Sequence, residues 1–289
     1  MGNFFTPVVL TVIIALVAAI LLVVASIIFA VPEDETAKKI RECLSGANCG
    51  ACGYAGCDDY AAALSKDPTI PSNLCVPGGD KAATAVAAVL GQDAMDVLEQ
   101  VAVIHCSGVH DVTSPEMEYQ GLKSCSAAKG FFQGPGSCKY GCIGFGDCVN
   151  ACPHGAISIC NGIANVDRSK CVGCGICAKT CPQHLIEIVP LAARVVVGCS
   201  SCDKGKDTKN VCDMGCIGCK LCEKECSFGA IHVENNHAII DYDKCKACGS
   251  CARACPRHVI SIFKKDPRAS VNPVAPKAQD IPKEILEKA

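Results

Sequence analysis

Residues 171–182 read CVGCGICAKTCP, and residues 245–256 read CKACGSCARACP. Each stretch holds four cysteines in the spacing Cys-x2-Cys-x2-Cys-x3-Cys, followed by proline. Disulfide scaffolds are mostly short secreted domains, whereas this chain has 289 residues and 27 cysteines, most of them in tight runs. Zinc sites pair two Cys-x2-Cys knuckles and have no use for a third close cysteine. The two stretches therefore predict iron–sulfur clusters.

This spacing is typical of bacterial two-cluster ferredoxins, in which the first three cysteines of a run bind one 4Fe-4S cluster and the fourth binds the other. Small residues such as Gly173 and Gly249 let backbone N–H groups approach the sulfurs. The missing ligand of each run is expected from a cysteine upstream. One predicted cluster is bound by Cys152, Cys171, Cys174 and Cys177. Another is bound by Cys226, Cys245, Cys248 and Cys251.

Both runs lie in an internal repeat, because residues 138–190 align without gaps with residues 212–264. The upstream run of the second repeat is regular, and it predicts a cluster on Cys216, Cys219, Cys222 and Cys255. The first repeat has Phe145 where Cys219 stands, so its upstream run lacks one ligand. Cys138 is the near candidate for that place. We therefore predict a cluster on Cys138, Cys142, Cys148 and Cys181.

A separate cysteine set precedes the repeats, in the spacing Cys49-x2-Cys52-x4-Cys57-x17-Cys75. Residues 48–57 read NCGACGYAGC, and a glycine-rich segment of this kind can wrap closely round a cluster. A zinc site is the alternative. We interpret this set, Cys49, Cys52, Cys57 and Cys75, as the ligands of a fifth 4Fe-4S cluster.

Seven cysteines remain outside these five sets: Cys43, Cys106, Cys125, Cys160, Cys199, Cys202 and Cys212. A free cysteine behaves as a small hydrophobic residue, which suits Cys43 and Cys160. Cys199, Cys202 and Cys212 are close enough in sequence to share a sixth cluster. Its fourth ligand would be Cys106 or Cys125. The expected cofactors are thus five 4Fe-4S clusters, with a sixth as a further candidate.

The N-terminal region predicts a membrane anchor. Residues 1–32 carry no charged side chain, and the apolar run over residues 8–31 would form a helix of about 36 Å, enough to span a bilayer core of about 30 Å. A signal peptide would have a positive start and a shorter apolar stretch, and a buried core helix is the other alternative. Three basic residues within 38–41 place the bulk of the chain on the cytoplasmic side. We predict a single-pass protein of the bacterial inner membrane.

The predicted fold class is α+β, with one N-terminal transmembrane helix, a small 4Fe-4S module and two tandem bacterial-ferredoxin-like domains with short flanking helices and strands. We expect a helix over residues 81–100 with Asp80 as its N-cap, and a strand over residues 101–106. Hairpins are predicted to turn at Asn161-Gly162 and Asn235-Asn236. The predicted domains begin with an anchor at 1–32, a 4Fe-4S domain at 33–80 and a helix and strand linker at 81–137. A ferredoxin-like domain at 138–190, a cysteine-bearing connector at 191–211 and a second ferredoxin-like domain at 212–265 follow. A flexible tail is predicted at 266–289.

Other function classes find little support in the composition. The net charge is −2, which does not favour nucleic acid as a partner. No glycine-rich phosphate loop and no nucleophile–base pair stands out in the sequence. We therefore expect no nucleotide site and no catalytic residues in this chain.

The chain resembles the B-subunit family of the Rnf complex. The resemblance rests on the N-terminal span, on residues 48–57, on the phrases GCIGFGDC at 141–148 and ACP at 151–153, and on the paired cysteine runs. It covers nearly the whole chain, and the second pair of runs resembles the longer family members from anaerobes. It implies an electron-transfer subunit of a membrane complex that passes electrons from reduced ferredoxin to NAD+ and drives Na+ or H+ across the membrane. It further implies that soluble ferredoxin delivers its electrons to this subunit, and that the flavins and the NAD site lie on other Rnf subunits.

Two other interpretations are compatible with the cysteine pattern. One is a stand-alone membrane polyferredoxin that serves a hydrogenase or another oxidoreductase. The other is a non-catalytic cluster store or assembly factor. Co-purifying membrane subunits with covalent flavin would favour the Rnf interpretation, whereas ready cluster transfer to apo-proteins would favour the last.

Overall fold

The computed structural model describes residues 2–28, 34–130 and 133–263. The helices are α1 (Gly2–Ile28), α2 (Glu35–Cys43), α3 (Cys57–Lys66), α4 (Gly79–Leu90), α5 (Cys125–Lys129), α6 (Asp147–Asn150), α7 (Ile176–Thr180), α8 (Gly205–Val211), α9 (Leu221–Lys224) and α10 (Ser250–Ala254). The strands are β1 (Gln100–Ile104), β2 (Ile157–Cys160), β3 (Ile163–Val166), β4 (Ile186–Pro190), β5 (Val195–Val197), β6 (Ile231–Glu234), β7 (His237–Ile240) and β8 (Ile260–Ile262). This mixture of helices and strands fits the α+β class.

The first helix is apolar and exposed. The segment Val8–Ser26 has a mean hydropathy of 3.4, and none of it is buried inside the protein. Among the described helices, α1 alone is long and apolar enough to cross a membrane. The end of the predicted anchor, residues 29–32, and the predicted tail, residues 266–289, lie outside the described residues.

Helices α2, α3 and α4 form a small core that holds the first cysteine set. Asp34 caps α2, because its Oδ1 accepts hydrogen bonds from the backbone N–H groups of Thr36 and Ala37. The core consists of apolar side chains from the three helices, with Ile40, Tyr60, Leu64 and Val86 almost fully buried. The loop over residues 48–57 lies between α2 and α3, so that Cys57 opens α3.

The helix predicted over residues 81–100 is shorter in the structure. It ends at Leu90, because Gly91 adopts the left-handed conformation with φ +67° and closes the helix. The prediction that Asp80 caps this helix was wrong. Asp80 lies in the first turn, and its Oδ1 accepts a hydrogen bond from Val97 N at 2.9 Å.

All described strand pairs are antiparallel, and they repeat the same plan twice. Strand β2 pairs with β3 and β6 with β7, as two hairpins. The predicted hairpin turns are confirmed, with positive φ at Asn161, Gly162, Asn235 and Asn236. Strand β1 pairs with β4, and β5 pairs with β8. The strand that precedes each repeat therefore pairs with the strand that ends it.

A buried arginine lies where the two repeats meet. Arg168 Nη2 donates hydrogen bonds to the carbonyl oxygens of Leu191 and Ala193, both at 2.9 Å. Its guanidinium lies 4.2 Å from the ring centroid of Phe263. Among the described residues, its Nε and Nη1 have no hydrogen-bond partner. Because Leu191 and Ala193 belong to the connector and Phe263 follows β8, Arg168 joins the first repeat to the second.

Candidate metal centres

The cysteine run of the first repeat wraps around a cavity of about 320 Å³, lined by Cys152, Cys171, Cys174 and Cys177. Gly173 has φ +68°, and a Cβ at this position would lie 2.7 Å from the carbonyl oxygen of Gln100. Glycine therefore lets β1 approach the loop. From β1, Ala102 N donates to Cys171 Sγ at 3.3 Å. The structure thus brings together the four cysteines that were predicted to form one set.

The second repeat has two cavities of similar size. One, of about 340 Å³, is lined by Cys226, Cys245, Cys248 and Cys251. The other, of about 320 Å³, is lined by Cys216, Cys219, Cys222 and Cys255. Both groups have the membership predicted from the repeat. Ala230 N donates to Cys226 Sγ at 3.3 Å, which matches the bond from Ala156 N to Cys152 Sγ at 3.4 Å in the first repeat.

The other cavity of the first repeat has a different membership from the predicted one. It encloses about 390 Å³ and is lined by Cys125, Cys142, Cys148 and Cys181. Cys138 does not line it, and Cys125 occupies the place that we predicted for Cys138. Where the second repeat has Cys219 in its regular run, the first repeat receives a cysteine from α5, in the segment between β1 and the repeat.

A single carboxylate holds α5 at this cavity. Asp147 Oδ2 accepts hydrogen bonds from Ser124 Oγ, Ser126 N and Ser126 Oγ, while its Oδ1 accepts from Cys125 N. Partial burial opposes ionisation of Asp147, but these hydrogen bonds lower its pKa below the usual value. From the other end of α5, Lys129 Nζ donates to the carbonyl oxygen of Pro182. Tertiary hydrogen bonds therefore deliver Cys125 to the site.

The N-terminal set lies in the core of α2, α3 and α4. Cys57 and Cys75 are buried there, and Cys52 packs against the same core. Asn48 Oδ1 accepts a hydrogen bond from Cys57 N at 2.8 Å and so fixes the loop. Three predicted members of the set thus share one core, and Cys49 lies on the loop that leads into it.

A fifth cavity, of about 520 Å³, lies between the two repeats. Its lining contains Cys106, Cys138, Cys142, Cys199 and Cys212. Cys142 also lines the neighbouring cavity of the first repeat, so it stands at the boundary between the two. Cys202 is absent from this lining, and its Sγ lies 3.9 Å from His237 Nδ1. The structure thus separates Cys125 and Cys202 from the other cysteines considered for a sixth cluster.

Burial disfavours the thiolate form of these cysteines. It raises the pKa of five of them to about 12: Cys106, Cys148, Cys177, Cys199 and Cys222. Such thiols stay protonated at neutral pH unless a nearby positive charge, such as iron, favours the thiolate. Within the described ranges, no three His, Cys, Asp or Glu side chains converge closely enough to hold a single metal ion. The cysteines stand instead around cavities, as thiolates bound to the corners of a cubane would.

Two features of the sequence could have pointed to the membership that the structure shows. Cys106 and Cys199 each follow a strand that precedes a repeat, and Cys138 and Cys212 each open a repeat. This matched placement suggests one shared group of four. Asp147 stands where the second repeat has Leu221, which marks a local difference beside the missing cysteine.

Three family models match segments of this chain. The model described as "Putative Fe-S cluster" matches residues 44–77. The model described as "4Fe-4S binding domain" matches residues 164–187, and that described as "4Fe-4S dicluster domain" matches residues 215–260. The matches cover the N-terminal set and parts of both repeats.

Curated relatives match most of the chain. The B subunit of the proton-translocating ferredoxin:NAD(+) oxidoreductase complex of Clostridium ljungdahlii is 41% identical over 254 residues, which cover 87% of this chain and 89% of that protein. The B subunit of the Na(+)-translocating complex of Acetobacterium woodii is 40% identical over 85% of this chain and 74% of its own length. The B subunit of an ion-translocating oxidoreductase complex of Methanosarcina acetivorans is 38% identical over 84% and 92%, respectively.

Proposed function

Because this chain belongs to the family of B subunits of the Rnf complexes, the ion-translocating ferredoxin:NAD+ oxidoreductases, we propose that its cysteine sets hold the 4Fe-4S clusters with which it transfers electrons. The protein is an iron–sulfur electron-transfer subunit of such a translocase, and it associates with a membrane. The other subunits of the complex are its partners.

Five cysteine sets are proposed as cluster ligands. They are Cys49, Cys52, Cys57 and Cys75; Cys152, Cys171, Cys174 and Cys177; Cys125, Cys142, Cys148 and Cys181; Cys216, Cys219, Cys222 and Cys255; and Cys226, Cys245, Cys248 and Cys251. Each set offers four thiols, as a 4Fe-4S cubane requires. On this assignment, residues 138–190 and 212–265 are two-cluster ferredoxin-like domains, and the first of them takes Cys125 from outside its own repeat.

The protein supplies the setting for these groups. A bound 4Fe-4S cluster is a one-electron redox centre. Most of the proposed ligand sulfurs are buried or half-buried, and backbone N–H groups donate to ligand sulfurs at Cys152, Cys171 and Cys226. Hydrogen bonds to the sulfurs and low solvent exposure are among the factors that set the reduction potential of such a centre. The repetition of the N–H to sulfur bond at equivalent positions of the two repeats is the observation that best supports this proposal.

Metal and sulfide analysis tests the ligand sets. The full-length protein, purified anaerobically, should contain at least about 20 iron atoms and as many acid-labile sulfides per chain. A Cys171→Ser variant should lose about four of each and one EPR signal on reduction. The matched control is Cys160→Ser, because Cys160 belongs to none of the sets. Zinc without sulfide in the wild-type protein would contradict the proposal.

We further propose that ferredoxin docks on the second repeat beside Cys248. Cys248 stands at the position equivalent to Cys174 in the first repeat. Cys174 is buried, and the N-terminal module covers this side of the first repeat, because Lys179 Nζ donates to the carbonyl oxygen of Cys49 at 2.8 Å. Cys248 is exposed, and among the described cysteines Cys219 is the one other that is exposed. The surface that receives a cluster module in the first repeat is thus open in the second.

The side chains around Cys248 suit an acidic partner with an apolar contact surface. Lys246 and Arg253 are exposed there, and Arg253 occupies the position equivalent to Lys179. The ring of Phe228 lines the same cavity and is 47% exposed. Complementary charge around a small apolar contact accelerates association and sets orientation.

Charge reversal tests this docking surface. In the Lys246→Glu/Arg253→Glu variant, the KM for reduced ferredoxin should rise by about tenfold at low salt, and the difference should shrink as salt screens the charges. Cluster reduction by dithionite should stay unchanged. The matched control is Lys206→Glu/Lys209→Glu, which reverses two exposed charges on α8. Equal KM values in the two variants would show that ferredoxin does not dock on this surface.

The chain is proposed to cross the bacterial inner membrane once, with its bulk on the cytoplasmic side. The apolar, exposed helix α1 and the basic residues at 38–41 support this topology. A protease should then cleave the folded region in inverted membrane vesicles and leave it intact in spheroplasts. Cleavage of the folded region in spheroplasts would show that the bulk of the chain lies on the opposite side of the membrane.

A further inference from the structure

The cavity between the two repeats remains unused by the five proposed cluster sets. Four of its cysteines, Cys106, Cys138, Cys199 and Cys212, belong to none of those sets, whereas the fifth, Cys142, does. All four are free thiols, and none lies in a segment matched by a family model, since the matches cover residues 44–77, 164–187 and 215–260. A group of four unassigned thiols around one cavity requires an explanation.

The four cysteines come in two equivalent pairs, with one member of each pair from each half of the duplication. Cys106 and Cys199 follow β1 and β5, and they face each other in an isolated antiparallel bridge. Cys138 and Cys212 are the first residues of the two repeats, and both line this cavity. Each half thus contributes two thiols to one shared cavity.

Backbone N–H groups are directed at these sulfurs in the same way as in the cluster sets. Cys142 N donates to Cys106 Sγ at 3.3 Å. In the second half, Ser201 N donates to Cys199 Sγ at 3.4 Å. Donors of this kind stabilise thiolate ligands rather than neutral thiols. The arrangement therefore has the same local chemistry as the sites around Cys171 and Cys226.

The walls of the cavity are kept free by small residues. A Cβ at Gly108 would lie 3.6 Å from Cys106 Sγ and 3.8 Å from Cys212 Sγ. A Cβ at Gly141 would lie 3.7 Å from Cys138 Sγ. Glycine at these two positions leaves space directly beside the sulfurs.

A cation also faces this group. Arg257 Nη2 donates to the carbonyl oxygen of Cys212 at 2.9 Å, and its positive charge partly offsets the effect of burial on the Cys212 thiol. A cluster with four thiolate ligands carries net negative charge, which a nearby guanidinium stabilises. No carboxylate belongs to the described lining of this cavity.

We propose that Cys106, Cys138, Cys199 and Cys212 bind a sixth 4Fe-4S cluster, which lies between the two ferredoxin-like domains and connects them. The proposal rests on the proposed function, since it assigns the remaining redox site of the same subunit. Cys142, whose N–H group donates to Cys106 Sγ, is itself a ligand in the flanking set of the first domain. Gly215, which lines the cavity, directly precedes Cys216 of a set in the second domain. The site therefore lies directly between a cluster set of the first domain and one of the second. A cluster here would take one electron from a reduced neighbour and pass one on, so that each oxidation is matched by a reduction.

Iron and sulfide counts on the full-length protein test this proposal. The wild-type chain should hold about 24 iron atoms and about 24 acid-labile sulfides, rather than about 20 of each. Cys138→Ser and Cys212→Ser should each lose about four of both, with one EPR signal missing on full reduction. Cys202→Ser is the matched control and should lose none. About 20 iron atoms in the wild type with no loss in the variants, or zinc bound at this site, would overturn the proposal.

A double variant separates this assignment from the alternative in which Cys138 belongs with Cys142, Cys148 and Cys181. Cys125→Ser/Cys138→Ser should lose about eight iron atoms, because two separate sites are removed. If each single variant loses about four iron atoms and the double variant also loses only four, both cysteines belong to one site, and the proposal is overturned. If Cys212→Ser unfolds, which loss of iron from every set would reveal, the count in Cys138→Ser decides. Full iron in Cys171→Ser would contradict the proposed function, while full iron in Cys138→Ser would contradict only the sixth cluster.

Discussion

The carboxylate of Asp147 accepts a hydrogen bond from the backbone N–H of Cys125 at 3.0 Å. Asp147 precedes Cys148, so one residue next to a proposed cluster ligand holds another ligand that is more than twenty positions upstream in the sequence. The second repeat has Leu221 at the position of Asp147 and supplies its own cysteine, Cys219, in the regular run. The hydrogen bond to Asp147 is therefore how the first repeat replaces its missing ligand.

Asp147→Asn should loosen Cys125 without changing the size of the side chain. The amide has one acceptor oxygen and no charge, whereas the carboxylate accepts four hydrogen bonds from residues 124–126. We expect loss of about one iron atom from the cluster on Cys142, Cys148 and Cys181, seen as a 3Fe-4S EPR signal in the oxidised protein. Asp207→Asn, at an exposed carboxylate on α8, is the control. An unchanged spectrum would show that Asp147 does not position this ligand.

Phe145→Cys should rescue the loss of Cys125. Cys125→Ser alone is expected to lose the cluster of this cavity, about four iron atoms. Adding Phe145→Cys recreates the regular run of the second repeat, in which Cys219 stands at the equivalent position. Iron content should return toward the wild-type value in the double variant, whereas Cys125→Ser/Ile143→Cys should show no recovery. Equal iron in the two double variants would contradict the equivalence of the repeats at this site.

Lys179→Met should weaken the contact between the N-terminal module and the first repeat. The variant loses the hydrogen bond from Lys179 Nζ to the carbonyl oxygen of Cys49, which is worth about 1 kcal/mol for an exposed donor. We expect faster proteolysis in the segment that joins the module to β1, measured on the intact holoprotein. The control is Lys170→Met, which removes an exposed lysine of the same repeat that forms an ion pair with the neighbouring Asp167. Equal cleavage rates in both variants would show that the bond does not hold the module.

Arg168→Met should destabilise the cluster-loaded protein more than the metal-free chain. The methionine fills much of the volume but leaves the buried carbonyl oxygens of Leu191 and Ala193 unpaired, at a cost of about 2 kcal/mol. Burial disfavours the charged guanidinium and lowers the pKa of Arg168. The nearby Cys171 opposes this pKa shift only when the cysteine is a thiolate. The readouts are the urea concentration at which clusters are released and the urea midpoint of unfolding of the metal-free chain, with exposed Lys206→Met as the control. A larger effect on the metal-free chain would reverse this interpretation.

The parts of the fold that sequence reasoning predicted are those set by local chemistry. Asn161 and Gly162 favour a tight hairpin turn by their tolerance of positive φ, so both hairpins could be predicted from short stretches. Cysteine spacing within a run also acts locally, because three thiols in a tight loop face the same cavity. The length of α4 was not predicted, since Gly91 ends a helix whose apolar pattern continues beyond it.

The sequence alone determined the runs, the duplication and the apolar anchor segment, because each is a pattern of neighbouring residues or of two aligned halves. Tertiary structure decided which cysteine completes the irregular run and which four surround the cavity between the repeats. Cys125 is held at its cavity by hydrogen bonds to Asp147. Cys106 lies opposite Cys199 at the ends of β1 and β5, which pair with the last strands of their own repeats. These partners are far apart in the chain, and no spacing rule connects them; the free energy of packing the two halves together brings them into contact.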